Sequence, residues 1–512
     1  MYTLADLPRH GAALHGPRPA VVFEGTTLTY AQLNERVNRA AHGLLALGLQ
    51  PGERIAILAD NSCRYLEVYL AAAKVGVSVT PLNTRLSDEE LDFIVRDSEA
   101  VAVVAGDGYE ERVRALLSGA PAAQLGLALD NAFEGFVSYE AAVADASGEE
   151  PDPERFKVAG GDVAVLMYTG GTTGTPKGVM LSHRNVMTAA IATCLQAELT
   201  KDDATCFVLP IFHVSWWPII SLLLVGGKVV IVRRPDLVEM LRLIQEERCT
   251  HLNLVPTLYA ALINQAPIGE YDLSSLRLLT YAGSPFPLEV LKQAISVFGP
   301  RFVQGYGATE TAGGPITMLA AEDHHLEGPD TALLGSAGKS AICSEVKVVD
   351  EHDQPVGPGE IGEVCVRGEH VMLGYWRNPE LTSVALRGGW YHTGDLGYLD
   401  GRGYLFLTYR KSDMIITGGE NVYPSEVENV LYTHPAVLEC SVVATPDDRW
   451  VEIVHAVVVL RDGAQVTAEE IIEHCHGSLA SYKCPKKVTF VPALPKTAIG
   501  KISRKTIKEM TI

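Results

Sequence analysis

Short apolar runs alternate with amphipathic segments from the amino-terminal region to about residue 281. From Leu28, apolar residues recur near helical spacing, with Thr29 placed to cap a helix and Gly48 placed to end it. A Pro-Gly turn then leads into the short β-branched run RIAILA. Strands that alternate with helices in this way are typical of parallel sheets with helices on both faces. The pattern predicts an α/β fold whose large N-terminal domain is built from doubly wound sheets.

The further strands of this domain are predicted from short apolar runs at 76–79, 100–105, 163–168, 205–209, 228–232, 250–255 and 276–281. Beyond Gly335 the chain changes to β runs punctuated by Gly and Pro, which predicts a small antiparallel or β-barrel-like subdomain over about 335–410. The stretch 412–512 predicts a small, mobile α+β C-terminal domain. The N-terminal domain is therefore expected to cover 1–411.

Composition and charge exclude several classes of protein. The 512 residues are 47% hydrophobic and 20% charged, which is ordinary globular usage and enough chain for about three domain-sized units. The net charge of −20 repels nucleic acid and anionic lipid on average. A general nucleic-acid binder is therefore excluded.

Cysteine usage and hydropathy indicate the compartment. The nine cysteines stand singly, with no C-x-x-C pair, which predicts reduced and mostly buried thiols. The longest nearly apolar run, 214–225, is far shorter than the roughly 20 residues of a membrane-spanning helix. The first residues do not have the basic and apolar segments of a signal peptide. We expect a cytoplasmic protein with no membrane span.

The last thirty residues, 483–512, have a positive net charge, whereas the chain as a whole is acidic. Eight basic residues stand there against Glu509 alone, which gives this stretch a net charge of +7. A solvated basic tail is the ordinary explanation of such a run. The alternative explanation is a lid that closes over a small polyanion.

A dense run of glycines and threonines lies in YTGGTTGTPKGVMLSH, 168–183, after an apolar strand and before a predicted helix. Glycines let backbone N–H groups approach a phosphate, threonines add hydroxyl donors, and Lys177 adds positive charge. A Walker A loop needs G-x-x-x-x-G-K-[ST], whereas Pro176 precedes Lys177 here and Gly178 follows it. The run therefore predicts a phosphate-binding loop of another kind.

Four further motifs accompany this loop over the whole chain: GYGATET at 305–311, GWYHTGDLGYLD at 389–400, YRKSDMIITGGENVYPSEVE at 409–428 and PKTAIGKISRK at 495–505. In sequence, order and spacing, the set resembles the adenylate-forming enzymes, which include acyl-CoA and aryl-CoA synthetases, firefly luciferase and nonribosomal peptide adenylation domains. The resemblance implies an ATP- and Mg²⁺-dependent acid:CoA ligase. Such an enzyme forms an acyl-adenylate and pyrophosphate, and then acyl-CoA and AMP.

The resemblance assigns the residues of these motifs to the nucleotide. At the phosphates it places Thr169, Gly170, Gly171, Thr172, Thr173 and Lys177; around the adenylate, Gly283, Ser284, Pro285, Gly305, Tyr306, Gly307 and Thr309; at the ribose, Asp395 and Arg410. Glu310 is the implied Mg²⁺ ligand, because this hard cation prefers carboxylate and phosphate oxygens. The family usually has Ser or Thr where this chain has Gly170, so we expect weaker ATP binding at most.

Lys501 resembles the catalytic lysine of the family, which approaches the reacting carboxylate and the α-phosphate during adenylation. His213, in PIFHVSWW, resembles the aromatic or His gate beside the substrate carboxylate. With Thr309 and Glu310, these two residues make up the expected catalytic set. The basic tail thereby gains a function, because it carries Lys501.

Thioester formation needs the face of the adenylate that Lys501 would occupy, and the family resolves this conflict by rotation of the C-terminal domain. The implied hinge is Ser412, where the family more often has Asp or Lys. After the rotation Gly418 and Gly419 would flank the channel for the pantetheine arm of CoA, where small residues leave room for a thin chain.

The acyl pocket is the least determined part of the site. The resemblance places around it His213, Val214, Trp216, Trp217, Tyr281, Gly283, Gly305, Ala312 and Gly313. This lining is apolar and has no evident cation, which favours a monocarboxylic acid with an apolar medium or long acyl chain or a bulky aryl body. Gly305, Gly313 and Gly314 are expected to leave space for it. In the alternative interpretation, both tryptophans fill the core and shorten the pocket.

Two alternatives to the ligase remain at this stage. The first is an adenylation enzyme that loads a carrier-protein thiol, and the second is a non-catalytic relative that binds an acyl group or a nucleotide. A hydrolase is disfavoured because Gly283-Ser284-Pro285 lacks the second glycine of a G-x-S-x-G elbow. The expected partners are a carboxylic acid, ATP and CoA, while a carrier protein and a homodimer stay open.

Overall fold

The computed structural model describes residues 3–169, 176–284, 286–410, 413–417, 420–447, 450–497 and 500–511, except the side chains of residues 409, 410 and 421. The strands up to residue 340 are β1 Pro19–Phe23, β2 Thr26–Thr29, β3 Arg54–Leu58, β4 Ser78–Pro81, β5 Ala102–Ala105, β6 Leu125–Ala128, β7 Val137–Ser138, β8 Val163–Thr169, β9 Lys177–Ser182, β10 Ala204–Phe207, β11 Lys228–Ile231, β12 His251–Leu254, β13 Leu278–Ala282, β14 Phe302–Tyr306, β15 Thr317–Leu319 and β16 Lys339–Ser340.

The strands after residue 340 are β17 Glu345–Val349, β18 Gly362–Arg367, β19 Gly374–Tyr375, β20 Tyr391–Leu399, β21 Leu405–Arg410, β22 Ile415–Thr417, β23 Glu420–Val422, β24 Val437–Asp447, β25 Val451–Leu460 and β26 Lys487–Phe490. The α-helices are α1 Leu7–His15, α2 Tyr30–Ala46, α3 Cys63–Lys74, α4 Asp88–Asp97, α5 Glu110–Gly119, α6 Tyr139–Ala144, α7 Pro153–Phe156, α8 His183–Gln196, α9 Trp217–Val225, α10 Leu237–Glu247, α11 Pro256–Gln265, α12 Leu288–Phe298, α13 Pro379–Ala385, α14 Pro424–Tyr432, α15 Ala468–His476 and α16 Arg504–Thr511.

The described strands form four sheets. The two large sheets run in the orders β16-β15-β14-β13-β12-β10-β11-β1-β2 and β19-β9-β8-β4-β3-β5-β6-β7, with parallel pairing through their centres. An antiparallel sheet β17-β18-β20-β21 follows. The last sheet has the order β23-β22-β25-β24, and β26 pairs with β25. Each predicted strand of the N-terminal domain overlaps an observed one, so the mixed α/β fold with a smaller C-terminal domain is confirmed.

Strand alternation places the cores on both faces of the large sheets. Along β1, Val21 and Phe23 belong to one core and Val22 to another; along β3, Ile55 and Ile57 share the core of Val21. That shared core also contains residues of α2, α3, α8 and α9, so these helices pack between the two sheets. The helix predicted after Thr29 is present, and Thr29 and Gln32 form a reciprocal capping box at its start.

The region 335–410 contains the antiparallel form of the two that were predicted for it. Its antiparallel sheet is open among the described strands, with β17 and β21 as its two edges. Its two shortest strands serve other sheets, because β16 extends one large sheet and β19 pairs with β9 at the edge of the other. The prediction of an antiparallel β unit is thus confirmed, whereas closure into a barrel is not seen in the described ladder.

The remaining expectations concern thiols and membranes. All nine cysteines are free; Cys63 and Cys343 are partly exposed and the others are buried. Burial raises the pKa of the Cys194 thiol to about 12. Among the described residues, every helix is too short or too polar to span a bilayer.

Candidate active site

The glycine-threonine run connects two antiparallel strands. Thr169 ends β8 and Lys177 begins β9, and these two residues are register partners across the ladder. The run is therefore the connection of a β-hairpin, and the predicted helix begins only after β9, at His183. Lys177 Nζ lies 5.7 Å from the centre of the Tyr375 ring. Gly170, Gly171, Thr172 and Thr173 lie outside the described residues.

Glu310 lies in a single helical turn, Thr309–Thr311, between β14 and β15. The Tyr375 hydroxyl donates a 2.9 Å hydrogen bond to Glu310 Oε1, and the Met372 backbone N–H donates to the Glu310 carbonyl at 2.7 Å. Tyr375 reaches this position because its strand, β19, pairs with β9 directly after the glycine-threonine run. Tyr375 was not predicted from the sequence, since MLGYW has the composition of an ordinary buried strand.

Tyr306 and Asp395 form a second hydrogen-bonded pair. The Tyr306 hydroxyl donates a 2.5 Å hydrogen bond to Asp395 Oδ2. Asp395 in β20 is the register partner of Arg410 in β21, whose side chain lies outside the described residues. We call Tyr306, Glu310, Tyr375 and Asp395 the nucleotide region.

Tyr391 lies close to the residues of the nucleotide region. It was not predicted from the sequence. Burial raises its pKa well above 10, and the negative charges of Glu310 and Asp395 add to this effect. The phenol therefore stays protonated at neutral pH.

Glu363 fixes the backbone turn that presents Asp395. Its carboxylate accepts hydrogen bonds from the Gly394 N–H at 3.2 Å and from Arg387 at 3.1 Å, and lies 3.1 Å from His392 Nδ1. Burial alone would raise the pKa of Glu363, but the hydrogen bonds with His392 and Arg387 lower it. The Glu363 carboxylate and its partners thus stabilise the HTGD segment, which contains His392 and Gly394.

Lys501 enters the site from the far end of the chain. The segment 495–503, which we call the lysine loop, is closed by a bridge between Lys496 and Ile502. Thr257 Oγ1 donates to the Gly500 carbonyl at 2.7 Å, and Arg85 donates to the Thr497 carbonyl at 3.0 Å. The loop is therefore anchored on residues that precede it by more than two hundred positions.

The Lys501 side chain passes directly over Gly283. A Cβ atom added to Gly283 would lie 2.6 Å from Lys501 Cε and 2.8 Å from Lys501 Nζ, closer than carbon atoms tolerate. Gly283 also has φ +88°, a conformation that only glycine adopts without strain. The backbone conformation at residue 283 thus favours glycine, and a Cβ atom there would displace the end of the Lys501 side chain from this position.

His213 completes this part of the site. Its Nδ1 accepts a 3.3 Å hydrogen bond from the Ser215 N–H, so the neutral ring carries its proton on Nε2. Burial and the positive charge of Lys501 lower the pKa of His213 to about 3. The structure therefore brings a neutral imidazole, Gly283 and a cationic lysine together.

Three other basic residues of the carboxyl-terminal stretch form ion pairs with glutamates. Lys483 pairs with Glu426 at 2.6 Å and Lys496 with Glu439 at 2.7 Å. Arg504 pairs with Glu428 at 2.6 Å. These three cations are therefore neutralised within the C-terminal domain, and the lysine loop delivers Lys501.

Two predicted acyl-pocket residues lie in hydrophobic cores instead. Trp216 is 1% exposed and stacks on Tyr69, with ring centres 4.5 Å apart. Tyr281 is also 1% exposed, packs against Phe286, and lies 3.1 Å from His324 Nε2 through its hydroxyl. Strand alternation explains the second error, because Thr280 and Ala282 take the opposite face of β13.

The glycines expected to leave space mostly allow close packing. A Cβ on Gly313 would meet the Val214 carbonyl oxygen at 2.6 Å and Trp217 at 2.7 Å, and a Cβ on Gly314 would meet Ala189 at 2.5 Å. Gly307 likewise lies against the Gly314 carbonyl. Of these glycines, Gly305 has the open surroundings that the prediction required, with its nearest neighbour atom at 3.9 Å.

The remaining predicted residues have mixed positions. Val214 and Ala312 are buried in the core between the large sheets, whereas Thr309 and Ser284 are partly exposed. Pro285, Ser412, Gly418 and Gly419 lie outside the described residues.

A small apolar cavity lies between the face of the sheet that carries β10, β12 and β13 and the helices α8 and α9. Its volume is about 20 Å³, and Trp217 and Leu222 line its helical side. Its sheet side is more polar, with His251, Asn253 and Thr280. These three residues were not predicted from the sequence. The alternation of polar and apolar residues in HLNLV and LLTYA indicates that they share one face of the sheet.

Comparison with known proteins places this geometry in a family. The AMP-binding enzyme family matches residues 9–376, and the AMP-binding enzyme C-terminal domain matches residues 426–501. A feruloyl-CoA synthase from Amycolatopsis sp is 39% identical over 99% of this chain and 98% of its own. The fatty acid:acyl-carrier-protein ligase ScoC from Streptomyces coeruleorubidus is 35% identical over 97% of this chain and 94% of its own.

A solved structure is similar to this chain over nearly its full length. The o-succinylbenzoate CoA synthetase MenE from Bacillus subtilis, in complex with its acyl-adenylate intermediate, has a TM-score of 0.85. It is 32% identical and covers 98% of both chains.

Proposed function

The chain belongs to the AMP-binding enzyme family, and from that premise we propose that it is an ATP-dependent, AMP-forming acid:CoA ligase. In the first half-reaction a carboxylate oxygen attacks the α-phosphorus of ATP, and the bond to the pyrophosphate oxygen breaks. In the second, the CoA thiol attacks the acyl carbon, the bond to AMP breaks, and the thiol proton is lost. ATP makes this step accessible because AMP is a far better leaving group than hydroxide.

The observation that carries the proposal is the position of Lys501 over Gly283 and beside neutral His213. Negative charge builds on the α-phosphate and on the departing pyrophosphate as the carboxylate attacks. A cation positioned there stabilises that charge in the transition state. His213, being neutral, does not compete with Lys501 for the anions, and its Nε2–H can orient the carboxylate.

The nucleotide region would bind the rest of ATP. Tyr306, Gly307, Ser284 and Pro285 would contact adenine. Asp395 and Arg410 suit the ribose hydroxyls, because a carboxylate accepts from a diol and a guanidinium donates to it. Thr309 would contact the α-phosphate, and Thr169, Lys177 and the run between them would bind the β- and γ-phosphates.

Glu310 fits the Mg²⁺ ion that the family implies. It offers carboxylate oxygens, the ligand type that this cation prefers, and Tyr375 fixes one of them through a hydrogen bond. The ion, when bound, would neutralise phosphate charge. Glu310 would hold it, and Tyr375 would keep the carboxylate in place.

The second half-reaction requires the lysine loop to leave. We propose that residues 412–512 rotate as a domain about Ser412 against residues 1–411. The rotation would break the hydrogen bonds from Thr257 and Arg85 to the lysine loop and bring Gly418 and Gly419 to the pantetheine channel.

For the acid we propose an apolar medium- or long-chain acyl group or a bulky aryl body. Among the described residues that line the cavity there is no Lys or Arg to pair with a second carboxylate. The burial of Trp216 and the small cavity support the shorter members of this class.

A carrier-protein thiol is the second candidate acceptor, favoured by the 35% identity to a fatty acid:acyl-carrier-protein ligase. A panel of aryl and aliphatic acids, assayed for AMP release with ATP, Mg²⁺ and CoA, tests both acceptors together. We expect acid-dependent AMP release with CoA alone. AMP release that requires a carrier protein would favour the second candidate. Absence of acid-dependent ATP–pyrophosphate exchange across the panel would instead support a non-catalytic relative.

A further inference from the structure

The sheet side of the cavity ends on a histidine with an unpartnered ring nitrogen. Register places His251 beside Leu278 and Thr205, one row beyond Asn253 and Thr280 on the same face. His251 is 8% exposed and lines the cavity. Its Nε2 is buried and has no hydrogen-bond partner in the part of the chain that the structure describes. An unpaired buried polar atom of this kind destabilises the folded chain, and a ligand group that pairs with it recovers that loss.

The hydrogen bonds behind the ring fix its tautomer. His251 Nδ1 lies 3.0 Å from Thr250 Oγ1, and Thr250 Oγ1 lies 2.9 Å from Asp203 Oδ1. Burial alone would raise the pKa of Asp203, but hydrogen bonds led by that from Arg277 hold it well below its usual range. Asp203 is thus a carboxylate that only accepts.

The single hydroxyl proton of Thr250 therefore goes to Asp203, and Thr250 Oγ1 accepts from His251 Nδ1–H. Burial also lowers the pKa of His251 to about 4, so the ring is neutral at pH 7. Its Nε2 is left as a lone-pair acceptor. A ligand atom that pairs with it must carry an O–H or N–H proton.

We propose that the acid substrate carries a hydrogen-bond donor, a hydroxyl or an amine N–H, at the end remote from its carboxylate, and that His251 Nε2 accepts it. This inference rests on the proposed ligase function. Leu278 begins β13 and Gly283 follows its last residue, five positions later, so the His251 row lies about 16 Å from the place where Lys501 crosses Gly283. The row of Asn253 and Thr280 lies about 10 Å from it. The cavity, at about 20 Å³, has room for one such polar group.

The test uses pairs of acids that differ only at the remote end. The phenolic arm compares straight-chain acids of about six to eight carbons that end in a 4-hydroxyphenyl ring with their 4-methylphenyl analogues. The aliphatic arm compares ω-hydroxy straight-chain acids of about eight to fourteen carbons with acids that have CH₃ in place of the OH. The kcat/KM for CoA-dependent AMP release is measured with the wild-type chain, His251→Leu and His251→Gln.

We expect wild type to prefer the hydroxylated member of at least one arm by about tenfold to a hundredfold. His251→Leu should abolish or invert that preference, and His251→Gln, which restores an acceptor oxygen, should recover part of it. A purely structural role for His251 would lower the melting temperature and leave the preference unchanged.

Equal use of both members by wild type in both arms would overturn the inference, and this holds even if His251→Leu does not fold. So would a preference that survives in folded His251→Leu, or a crystal with bound acid in which a water alone occupies His251 Nε2. Failure of the proposed function has a different signature, because no acid would then support pyrophosphate exchange at all.

Discussion

The nucleotide region and the lysine loop meet in one site but are held there in different ways. Tyr306 and Asp395, like Tyr375 and Glu310, are joined by hydrogen bonds between residues that all precede 411. The lysine loop is held across the chain by the bonds of Thr257 and Arg85 to its carbonyl groups. Because its residues all precede 411, the nucleotide region can persist through both half-reactions, whereas movement of residues 412–512 would break the bonds that hold the lysine loop.

The strongest test of this difference is Lys501→Ala. We expect acid-dependent ATP–pyrophosphate exchange to fall by about a hundredfold to a thousandfold, because the transition state loses its positioned cation. Thioester formation from supplied acyl-adenylate should be little changed. Lys496→Ala is the matched control, since Lys496 lies in the same loop but pairs with Glu439. Unchanged exchange in Lys501→Ala would refute the assignment.

Gly283→Ala tests the same contact from the other side. The added methyl group would occupy the place of Lys501 Cε, and the left-handed backbone would be strained. We expect pyrophosphate exchange to fall by about tenfold to a hundredfold, with thioester formation affected less. Gly108→Ala is the control, because Gly108 has φ +86° and no atom lies within 4 Å of a Cβ added there. Equal losses in the two variants would show that strain, and not the lost approach of Lys501, is responsible.

Tyr306→Phe probes the nucleotide region. It removes the 2.5 Å hydrogen bond to Asp395, a bond to a charged group with a net contribution of about 1.5–3 kcal/mol. We expect the KM for ATP to rise by roughly tenfold, and thioester formation from supplied acyl-adenylate to weaken similarly. An effect on adenylation alone would contradict the persistence of this region through both steps.

The smallest expected effect concerns pH. The pKa of His213 is about 3 in the folded chain against an ordinary 6.5, so the unfolded chain binds the additional proton between these values. The free energy of unfolding should therefore fall as the pH falls below about 6.5. His213→Gln should lessen the fall between pH 7 and pH 5 by about 1–2 kcal/mol, measured by chemical denaturation. No inflection of pyrophosphate exchange near pH 6.5 should come from His213, and its appearance would contradict a neutral gate.

Much of the molecule could be predicted because local signals carry it. Alternating strand and helix patterns predicted the α/β fold, and Thr29 marked the start of α2, where the structure has a capping box. The motifs also identified residues that the structure brings together, among them His213, Gly283 and Lys501. Their spacing in sequence is large, but each motif is short and specific by itself.

The errors concern the direction of side chains. Trp216 and Tyr281 belong to apolar segments beside the site, yet one stacks on Tyr69 and the other lies on the far face of β13. Tyr375 joins Glu310 only because β19 is added to the edge of β9. Such facts depend on register, which short apolar runs do not specify.

The sequence by itself determined the chemistry available to this protein: a glycine-threonine run after an apolar strand, a carboxylate in GYGATET, and a lysine near the carboxyl terminus. The tertiary structure alone decided that the lysine crosses Gly283, that Tyr375 holds Glu310, and that His251, whose buried Nε2 has no hydrogen-bond partner among the described residues, lines the cavity. The physical reason is that a motif fixes which groups a segment offers, whereas distances and proton positions depend on segments that are far apart in the chain.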